Sequence, residues 1–206
     1  MNNHSSYENV NPYDNSRLSK KNQVIKVFDT ISDVYDKVNK ILFFGLHSVW
    51  RKKVVKLLID KKPVKILDIA TGTGDLAIDL TETNAKNIVG VDISKEMLKI
   101  ARNKVNNNNL NDIIEIQLGD AENLNFQDNY FDTITCSFGV RNFEDLPKAL
   151  QEINRTLKPN GTFVILETSN PENFPFKQIH HLYIKYIVPF VGKMFSKDKY
   201  AYKYLS

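Results

Sequence analysis

Two acidic residues and a glycine-rich loop carry most of the chemical information in this sequence. Segment 66–75 reads Ile-Leu-Asp-Ile-Ala-Thr-Gly-Thr-Gly-Asp, so Asp68 lies near the end of an apolar run and Gly72 and Gly74 lie in the loop that follows. Glycine allows left-handed backbone angles and lets a ligand approach the main chain. A second acid, Asp92, ends the next apolar run, where its carboxylate can accept both hydroxyl groups of a ribose. The pattern predicts a pocket for a cofactor that contains adenosine.

Two classes of cofactor fit the glycine loop. Gly72-x-Gly74-x-x-Ala77 matches the relaxed dinucleotide fingerprint, in which a helix N-terminus binds a pyrophosphate. Asp68 decides between the classes, because a carboxylate four residues before Gly72 would repel a pyrophosphate. The same carboxylate would attract the ammonium and sulfonium groups of S-adenosylmethionine, directly or through water. The sequence therefore favours a methyl-donor site over a nicotinamide site.

The composition is that of an ordinary globular α/β domain. The chain has 206 residues, 42% of them hydrophobic and 25% charged, which is enough for one domain with a substantial core. No apolar stretch approaches the roughly 20 residues that span a bilayer, and the polar N-terminus lacks the apolar region of a signal peptide. The single cysteine, Cys136, excludes an internal disulfide, and His180 and His181 lack acidic partners at ligand spacing. We expect a cytoplasmic protein without a metal site.

The net charge of +4 is distributed unevenly along the chain. Residues 64–171 have a net charge of −6, whereas residues 1–63 have +6 and residues 172–206 have +4. Solvated helix faces give the simpler explanation. The alternative is a basic rim that contacts an anionic partner or the inner face of an anionic membrane as a peripheral protein.

The predicted elements begin with helices and continue as alternating strands and helices. The first residues are rich in Asn and Ser and are expected to be flexible. Apolar residues at helical spacing from 22 to 59, interrupted at Gly45, predict at least two helices. The predicted parts are a flexible segment at 1–21 and a single domain at 22–206, made of a helical cap at 22–62, a cofactor-binding core at 63–169 and an amphipathic lid at 170–206.

The core is predicted to be a parallel sheet with helices on both faces. Strands are predicted at 64–69, 87–92, 113–118, 131–138 and 162–167, and helices at 76–83, after the N-cap Ser94, and at 146–157. Parallel sheets bind ligands at the carboxyl ends of their strands. Four candidate ligand-binding residues fall at those ends: Asp68, Asp92, Asp120 and Ser137.

These segments resemble the class I S-adenosylmethionine-dependent methyltransferases, which have a Rossmann-like fold. More narrowly, residues 20–206 resemble the ubiquinone/menaquinone biosynthesis C-methyltransferase family. The segments that carry this resemblance are 27–32 (Val-Phe-Asp-Thr-Ile-Ser) with Tyr35-Asp36, 44–47 (Phe-Gly-Leu-His) with Trp50-Arg51, 137–142 (Ser-Phe-Gly-Val-Arg-Asn), 157–161 (Leu-Lys-Pro-Asn-Gly) and 202–206 (Tyr-Lys-Tyr-Leu-Ser).

The resemblance implies a position for each part of the methyl donor. It places the donor against Thr73 in the glycine loop and the ribose at Asp92. Asp120 and Ala121 would lie beside the adenine, and Ser137 would close the site at the end of the fourth strand. Ala70 stands where the wider methyltransferase pattern has its first glycine, so we expect this position to keep a negative φ.

The resemblance also implies a methyl acceptor. The reaction would transfer a methyl group to a ring carbon of a prenylated quinol, most closely demethylmenaquinol, in menaquinone or ubiquinone biosynthesis. Arg141 and Asn142 follow the fourth strand and are predicted to orient the quinol and stabilise its oxyanion. The family places the segment of Tyr35 over the substrate cleft, and His47 is a further candidate for contact with the substrate. No residue of the sequence identifies the base that takes the quinol proton.

Simpler interpretations accompany several of these assignments. Arg141 could pair with Glu144 or Asp145 on the following helix. His47 and Trp50, one helical turn apart, could serve only helix packing. The amphipathic stretch 179–195 could pack on the sheet as a lid, or lie against a membrane or the isoprenoid tail.

In the family, a further helix and two closing strands follow the segment that ends this chain at Ser206. We therefore expect five parallel strands, with the last one exposing an edge unless something covers it. Two other functions remain as alternatives: a methyltransferase acting on another small molecule, and a non-catalytic S-adenosylmethionine-binding module of a quinone-synthesis assembly. A homo-oligomer is also compatible with the sequence.

Overall fold

The computed structural model describes residues 11–13, 16–169, 171–188, 191 and 204. The predicted flexible segment falls largely on residues 1–10 and 14–15, which lie outside this part of the chain. The predicted kink at Pro189 and most of the stretch from 192 to 203 also lie outside it.

A five-stranded parallel sheet forms the centre of the fold. Its strands are β1 Lys65–Ile69, β2 Asn87–Asp92, β3 Ile114–Leu118, β4 Phe131–Ser137 and β5 Leu157–Leu166. They pair in the order β3-β2-β1-β4-β5, and every pair is parallel. The connections leave β1 in both directions, so a crevice forms between β1 and β4 at the carboxyl edge of the sheet. The predicted fold class is confirmed.

In the described residues, six α-helices surround the sheet and cap it. They are α1 Lys20–Leu42, α2 Leu46–Ile59, α3 Asp75–Asp79, α4 Lys95–Asn107, α5 Leu146–Thr156 and α6 Phe176–Leu182, with 3₁₀ turns at Leu80–Thr83 and Val140–Asn142 and a π-helical turn at Tyr183–Ile187. Side chains cap three of the N-termini: Ser19 accepts from Asn22 N, Ser94 from Met97 N and Asp145 from Lys148 N. Gly45, at φ 74°, separates α1 from α2 as predicted.

Alternating strand residues supply the two faces of the core. Ile66 and Ile88 face one side with Leu58 of α2, whereas Leu67 and Phe131 face the other side with residues of α5. Because both faces are covered, strands β1, β2 and β4 are buried along almost their whole length.

The π-helical turn Tyr183–Ile187, which follows α6, packs on α1, whereas the simpler prediction for this stretch was a lid on the sheet. Tyr183, Ile184 and Val188 join a third apolar cluster with Val27 and Ile31 of α1. In the described part of the chain, no helix has both the length and the apolar character needed to cross a bilayer.

Strand β5 begins five residues earlier than predicted. Leu157 pairs with Phe131, and the next regular pair joins Thr162 to Thr133, so residues 158–161 form a bulge. The sequence Lys-Pro-Asn-Gly does interrupt regular pairing, but it lies within the strand instead of before it.

Candidate functional site

A cavity of about 700 Å³, including its open mouth, lies at the carboxyl edge of the sheet. It is lined by α1 and by the loops after β1, β2, β3 and β4. Of the predicted site residues, those that line it are Tyr35, Gly72, Asp92, Asp120, Ala121, Ser137 and Asn142.

The glycine loop has a left-handed backbone at three positions. Gly72 has φ 56° and Gly74 has φ 81°, and a Cβ at Gly74 would lie 3.0 Å from the Cβ of Ala101. Ala70 has φ 54°, so the expectation of a negative φ at this alanine is wrong. A non-glycine residue in this conformation is strained, and such strain concentrates at functional sites.

Asp68 links the glycine loop to strand β4. Its carboxylate accepts hydrogen bonds from Thr71 Oγ1 and Thr135 Oγ1, both at 2.7 Å, and its residue is 1% exposed. Burial raises the pKa of Asp68 to about 6, although the two hydroxyl groups oppose that rise. Asp68 does not belong to the cavity lining, so its predicted effect on a ligand would have to pass through the loop or through water.

Asp92 connects the glycine loop to the end of β2. Its Oδ2 accepts from Gly72 N at 2.8 Å and its Oδ1 from Ser94 N at 2.9 Å. Burial raises the pKa of this carboxyl, and the backbone N–H groups oppose the rise. Ile93 N–H also bonds this carboxylate, which lines the cavity and keeps acceptor capacity for a hydroxyl group of a ligand.

Lys21 of α1 neutralises the acid pair after β3. Its Nζ lies 2.7 Å from Asp120 Oδ2 and 2.7 Å from Glu122 Oε2. Burial works against the charge, but these hydrogen bonds raise the pKa of Lys21 to about 12. Ala121, between the two acids, lines the cavity and leaves room for a flat ring.

Ser137 brings an unsatisfied polar group to the cavity wall. Its Oγ is buried and has no hydrogen-bond partner among the described residues. A buried hydroxyl without a partner is costly, so a ligand atom is the expected partner.

Thr73 contacts the cap instead of the cavity. Its Oγ1 donates to Asp36 Oδ1 at 2.7 Å and accepts from Lys104 Nζ at 3.0 Å. The side chain of Thr73 therefore links its loop to the cap, and the predicted position of Thr73 against the donor stays a prediction.

The acceptor side of the cavity combines polar and aromatic groups. Asn142 lines it, whereas Arg141 and His47 do not belong to the lining. In the described part of the chain no ion pair joins Arg141 to Glu144 or Asp145, the simpler role considered for it.

An aromatic stack places His47 close to the cavity. The ring of His47 lies 4.1 Å from that of Phe43 and 4.9 Å from that of Phe138, which lines the cavity with φ 56°. Burial, followed by the charge of Arg51, lowers the pKa of His47 to about 4, so its imidazole is neutral near pH 7.

Sequence reasoning missed three residues that organise the site. Lys20 Nζ donates to Arg141 O at 3.1 Å and to Phe143 O at 2.7 Å, Lys21 binds the acid pair, and Tyr204 Oη lies 3.0 Å from Asn142 Oδ1. The basic pair at the start of α1 gave a local signal. Tyr204 is 62 residues from Asn142, so no local pattern links them.

The sequence model of the ubiE/COQ5 methyltransferase family matches residues 16–206. The chain belongs to the ubiE/COQ5 methyltransferase family. A relative from Bacteroides fragilis, named demethylmenaquinone methyltransferase, is 43% identical to this family member over 199 residues, which are 96% of this chain and 81% of the relative.

Solved structures with the same fold include different activities. A proposed S-adenosyl-L-methionine-dependent methyltransferase from Methanococcus maripaludis has a TM-score of 0.59 and 29% identity, covering 74% of this chain and 65% of its own. A (4+2)-cyclase has a TM-score of 0.63 at 21% identity, covering 76% of this chain and 62% of its own. The second likeness concerns the fold alone, because one fold supports many functions.

The residues of this family member fit S-adenosylmethionine. One cavity is lined by Ser137, whose buried hydroxyl has no partner among the described residues, by the carboxylate of Asp92 and by the small side chain of Ala121. The chain is an S-adenosylmethionine-dependent methyltransferase.

Proposed function

We propose that this methyltransferase methylates a ring carbon of demethylmenaquinol. One observation supports the proposal: the same cavity is lined by two groups of residues. Asp92 and Asp120 have carboxylates suited to an adenosine group. Tyr35, Phe138 and Asn142 have side chains suited to a quinol ring. The name of the relative from Bacteroides fragilis supports a naphthoquinol as the acceptor.

S-adenosylmethionine, when bound, supplies an electrophilic methyl group. Asp92 would accept the ribose hydroxyl groups, Asp120 would accept from the adenine amino group, and Ser137 would hydrogen-bond the donor. Tyr35 and Phe138 present aromatic surface that would hold a flat quinol ring and exclude water.

The reduced quinol can attack through carbon, and it attacks more readily once one hydroxyl oxygen gives up its proton and increases the electron density at the neighbouring carbon. Asn142, and Arg141 beside it, would stabilise the oxyanion that remains. Holding the ring carbon in line with the transferred methyl supplies several kcal/mol of the barrier through positioning.

Peripheral contact with the inner face of the membrane is part of the proposal. Phe174, Phe176, Ile179 and Leu182 are exposed on and beside α6, with Phe174 at 80% exposure. Lys177 and Lys185 lie on the same segment, so apolar and basic groups occur together, as in interfacial helices. A prenylated quinol would reach the cavity from such a surface.

Vesicle sedimentation tests this contact. The chain should sediment with vesicles containing anionic phosphatidylglycerol and much less with phosphatidylcholine alone. A Phe176→Ser, Ile179→Ser variant should lose this binding, whereas Leu57→Ser, at an exposed leucine of α2, should retain it. Equal loss in both variants would contradict the contact.

The activity itself is tested with methyl-labelled S-adenosylmethionine and reduced demethylmenaquinol. We expect label in the ring of the product, none with the oxidised quinone, and at least a tenfold loss of kcat in Arg141→Ala, about 1.4 kcal/mol of barrier. Donor binding without methylation of the quinol would contradict demethylmenaquinol as the acceptor. If only a different acceptor were methylated, the chain would still be a methyltransferase, but the quinol would not be its substrate.

A further inference from the structure

Asn142 has two hydrogen-bond partners that together fix its side-chain amide. Its Nδ2 lies 3.4 Å from Phe138 O, and its Oδ1 lies 3.0 Å from Tyr204 Oη. A backbone carbonyl only accepts, so the atom that faces Phe138 O must be the amino group. Oδ1 then accepts the Tyr204 hydroxyl proton, whereas the opposite orientation would turn Oδ1 towards Phe138 O, where two acceptors would repel each other.

This orientation decides what Asn142 presents to the cavity. The amino group has two N–H bonds, and Phe138 O takes one of them. The second N–H remains for a ligand, while Oδ1 is turned to Tyr204. Asn142 therefore offers a donor, which stabilises an oxyanion and cannot accept a proton.

We propose that Tyr204 is a positioning residue, whose hydroxyl holds the Asn142 amide so that an N–H faces the quinol oxygen that becomes negatively charged. This inference rests on the proposed function and deepens it. It also excludes Asn142 as the proton acceptor, so the quinol proton must leave by another route.

The surroundings of Tyr204 keep its hydroxyl group protonated, so that it can donate a hydrogen bond. Its ring joins the apolar cluster of α1, with Val27 and Ile31. Burial raises the pKa of Tyr204 to about 12, with the charge of Arg141 opposing the rise, so the hydroxyl keeps its proton in any ordinary assay. Among the residues that the structure describes, the titratable or charged groups around Asn142 and the cavity are Lys20, Lys21, Tyr35, Asp92, Asp120, Glu122, Arg141 and Glu144.

The test uses the ionisation of a bound phenol. We choose 4-nitro-1-naphthol as the probe, because its anion absorbs visible light, and titrate it on the full chain with S-adenosylhomocysteine present. Tyr204→Phe should raise the pKa of the bound probe by about one unit, the equivalent of a tenfold weaker preference for the anion. Tyr183→Phe is the matched control, since it removes a tyrosine hydroxyl that donates to Leu42 O in the same cluster.

Turnover of demethylmenaquinol gives a second readout. In Tyr204→Phe, kcat at neutral pH should fall about tenfold with the KM for S-adenosylmethionine unchanged, since about 1.4 kcal/mol of anion stabilisation is lost. The loss should shrink as the pH rises, because alkali supplies the quinol anion that the site no longer stabilises. A purely structural role would lower kcat equally at every pH.

Asn142 variants complete the design. Tyr204→Phe should have no further effect in an Asn142→Leu background, because the two residues act as one unit. Asn142→Asp keeps an acceptor for Tyr204 but presents oxygen to the cavity, so it should raise the probe pKa further than Tyr204→Phe. Additive losses, or a probe pKa equal to that of the unmodified chain in Tyr204→Phe, would overturn the proposal. Failure of the proposed function would show differently, as absent quinol turnover with the probe pKa still dependent on Tyr204.

Discussion

Thr73 Oγ1 in the glycine loop lies 2.7 Å from Asp36 Oδ1 in α1, so the helical cap is bonded directly to the cofactor loop. Three further residues of α1 extend this arrangement along the helix. Lys20 binds carbonyls after β4, Lys21 binds the acids after β3, and Asp29 accepts from Ser94 Oγ after β2 at 2.6 Å. One helix thus contacts the loops after four strands, and each loop contributes to the cavity or supports it.

Asp36→Asn should weaken S-adenosylmethionine binding about threefold to tenfold. The amide still accepts from Thr73, but it loses the ion pair with Lys104, whose Nζ lies 2.6 Å from Asp36 Oδ2. Because the two side chains are 41% and 28% exposed, the free energy of unfolding should fall by only about 1 kcal/mol. Titration calorimetry and urea unfolding measure the two effects.

Asp33→Asn provides the control for that variant, since Asp33 is exposed on the same helix. Its affinity for S-adenosylmethionine should match that of the unmodified chain. Equal weakening in both variants would assign the effect to the charge of α1 and not to its bond with the glycine loop.

Asp68→Asn should stabilise the fold at neutral pH while it weakens cofactor binding at least tenfold. The folded pKa of about 6 exceeds the ordinary value of 3.8, so the folded state favours the protonated acid. Its stabilising contribution is complete below about pH 4 and is lost as the pH rises to 6 and above. That loss is about 3 kcal/mol for a shift of about two pKa units, and the variant avoids it.

Urea unfolding of both chains at pH 4 and pH 7 measures this effect. The advantage of Asp68→Asn should increase with pH, and other titrating groups cancel in the comparison. An advantage that stays constant between the two pH values would show that Asp68 is not the group that titrates. If Asp68→Asn bound S-adenosylmethionine as tightly as the original chain, Asp68 would not support the glycine loop for cofactor binding.

Ala70→Gly should raise the free energy of unfolding by about 0.5–1 kcal/mol. Relief of the left-handed alanine at φ 54° favours glycine, and the extra freedom of the unfolded chain offsets part of the gain. Ala77→Gly, in α3, should instead destabilise by about 1 kcal/mol, because Ala77 is helical and glycine is unfavourable there. A loss of stability in both variants would show that the backbone at Ala70 is not strained.

The sequence predicts the strand ends of this fold well because parallel strands follow apolar runs of recognisable length. Asp92, Asp120 and Ser137 could be placed at one edge from that pattern alone. Ala70 could not, since its left-handed angle depends on the loop around it and not on its own residue type. The partners of Thr73 and Asn142 also come from α1 and from Tyr204, and such long-range contacts leave no periodic trace in a single sequence.

His47 should contribute to substrate binding through the packing of its ring, and a positive charge on its imidazole should not be needed. The ring stacks between Phe43 and Phe138, and the pKa of about 4 keeps it uncharged near pH 7. His47→Phe should therefore keep kcat within about threefold of the original value, whereas His47→Ala should raise the KM for the quinol about tenfold, a loss of about 1.4 kcal/mol in binding.

Stability gives an independent check on His47. Its folded pKa lies below the ordinary 6.5, so the folded state disfavours the imidazolium, and stability is lost as the pH falls from 6.5 towards 4. His47→Phe should unfold at a higher urea concentration than the original chain at pH 5 by a margin that narrows at pH 7.5. An inactive but folded His47→Phe would instead require the imidazole nitrogen in the reaction, because the phenyl ring preserves the stack and lacks only that nitrogen chemistry.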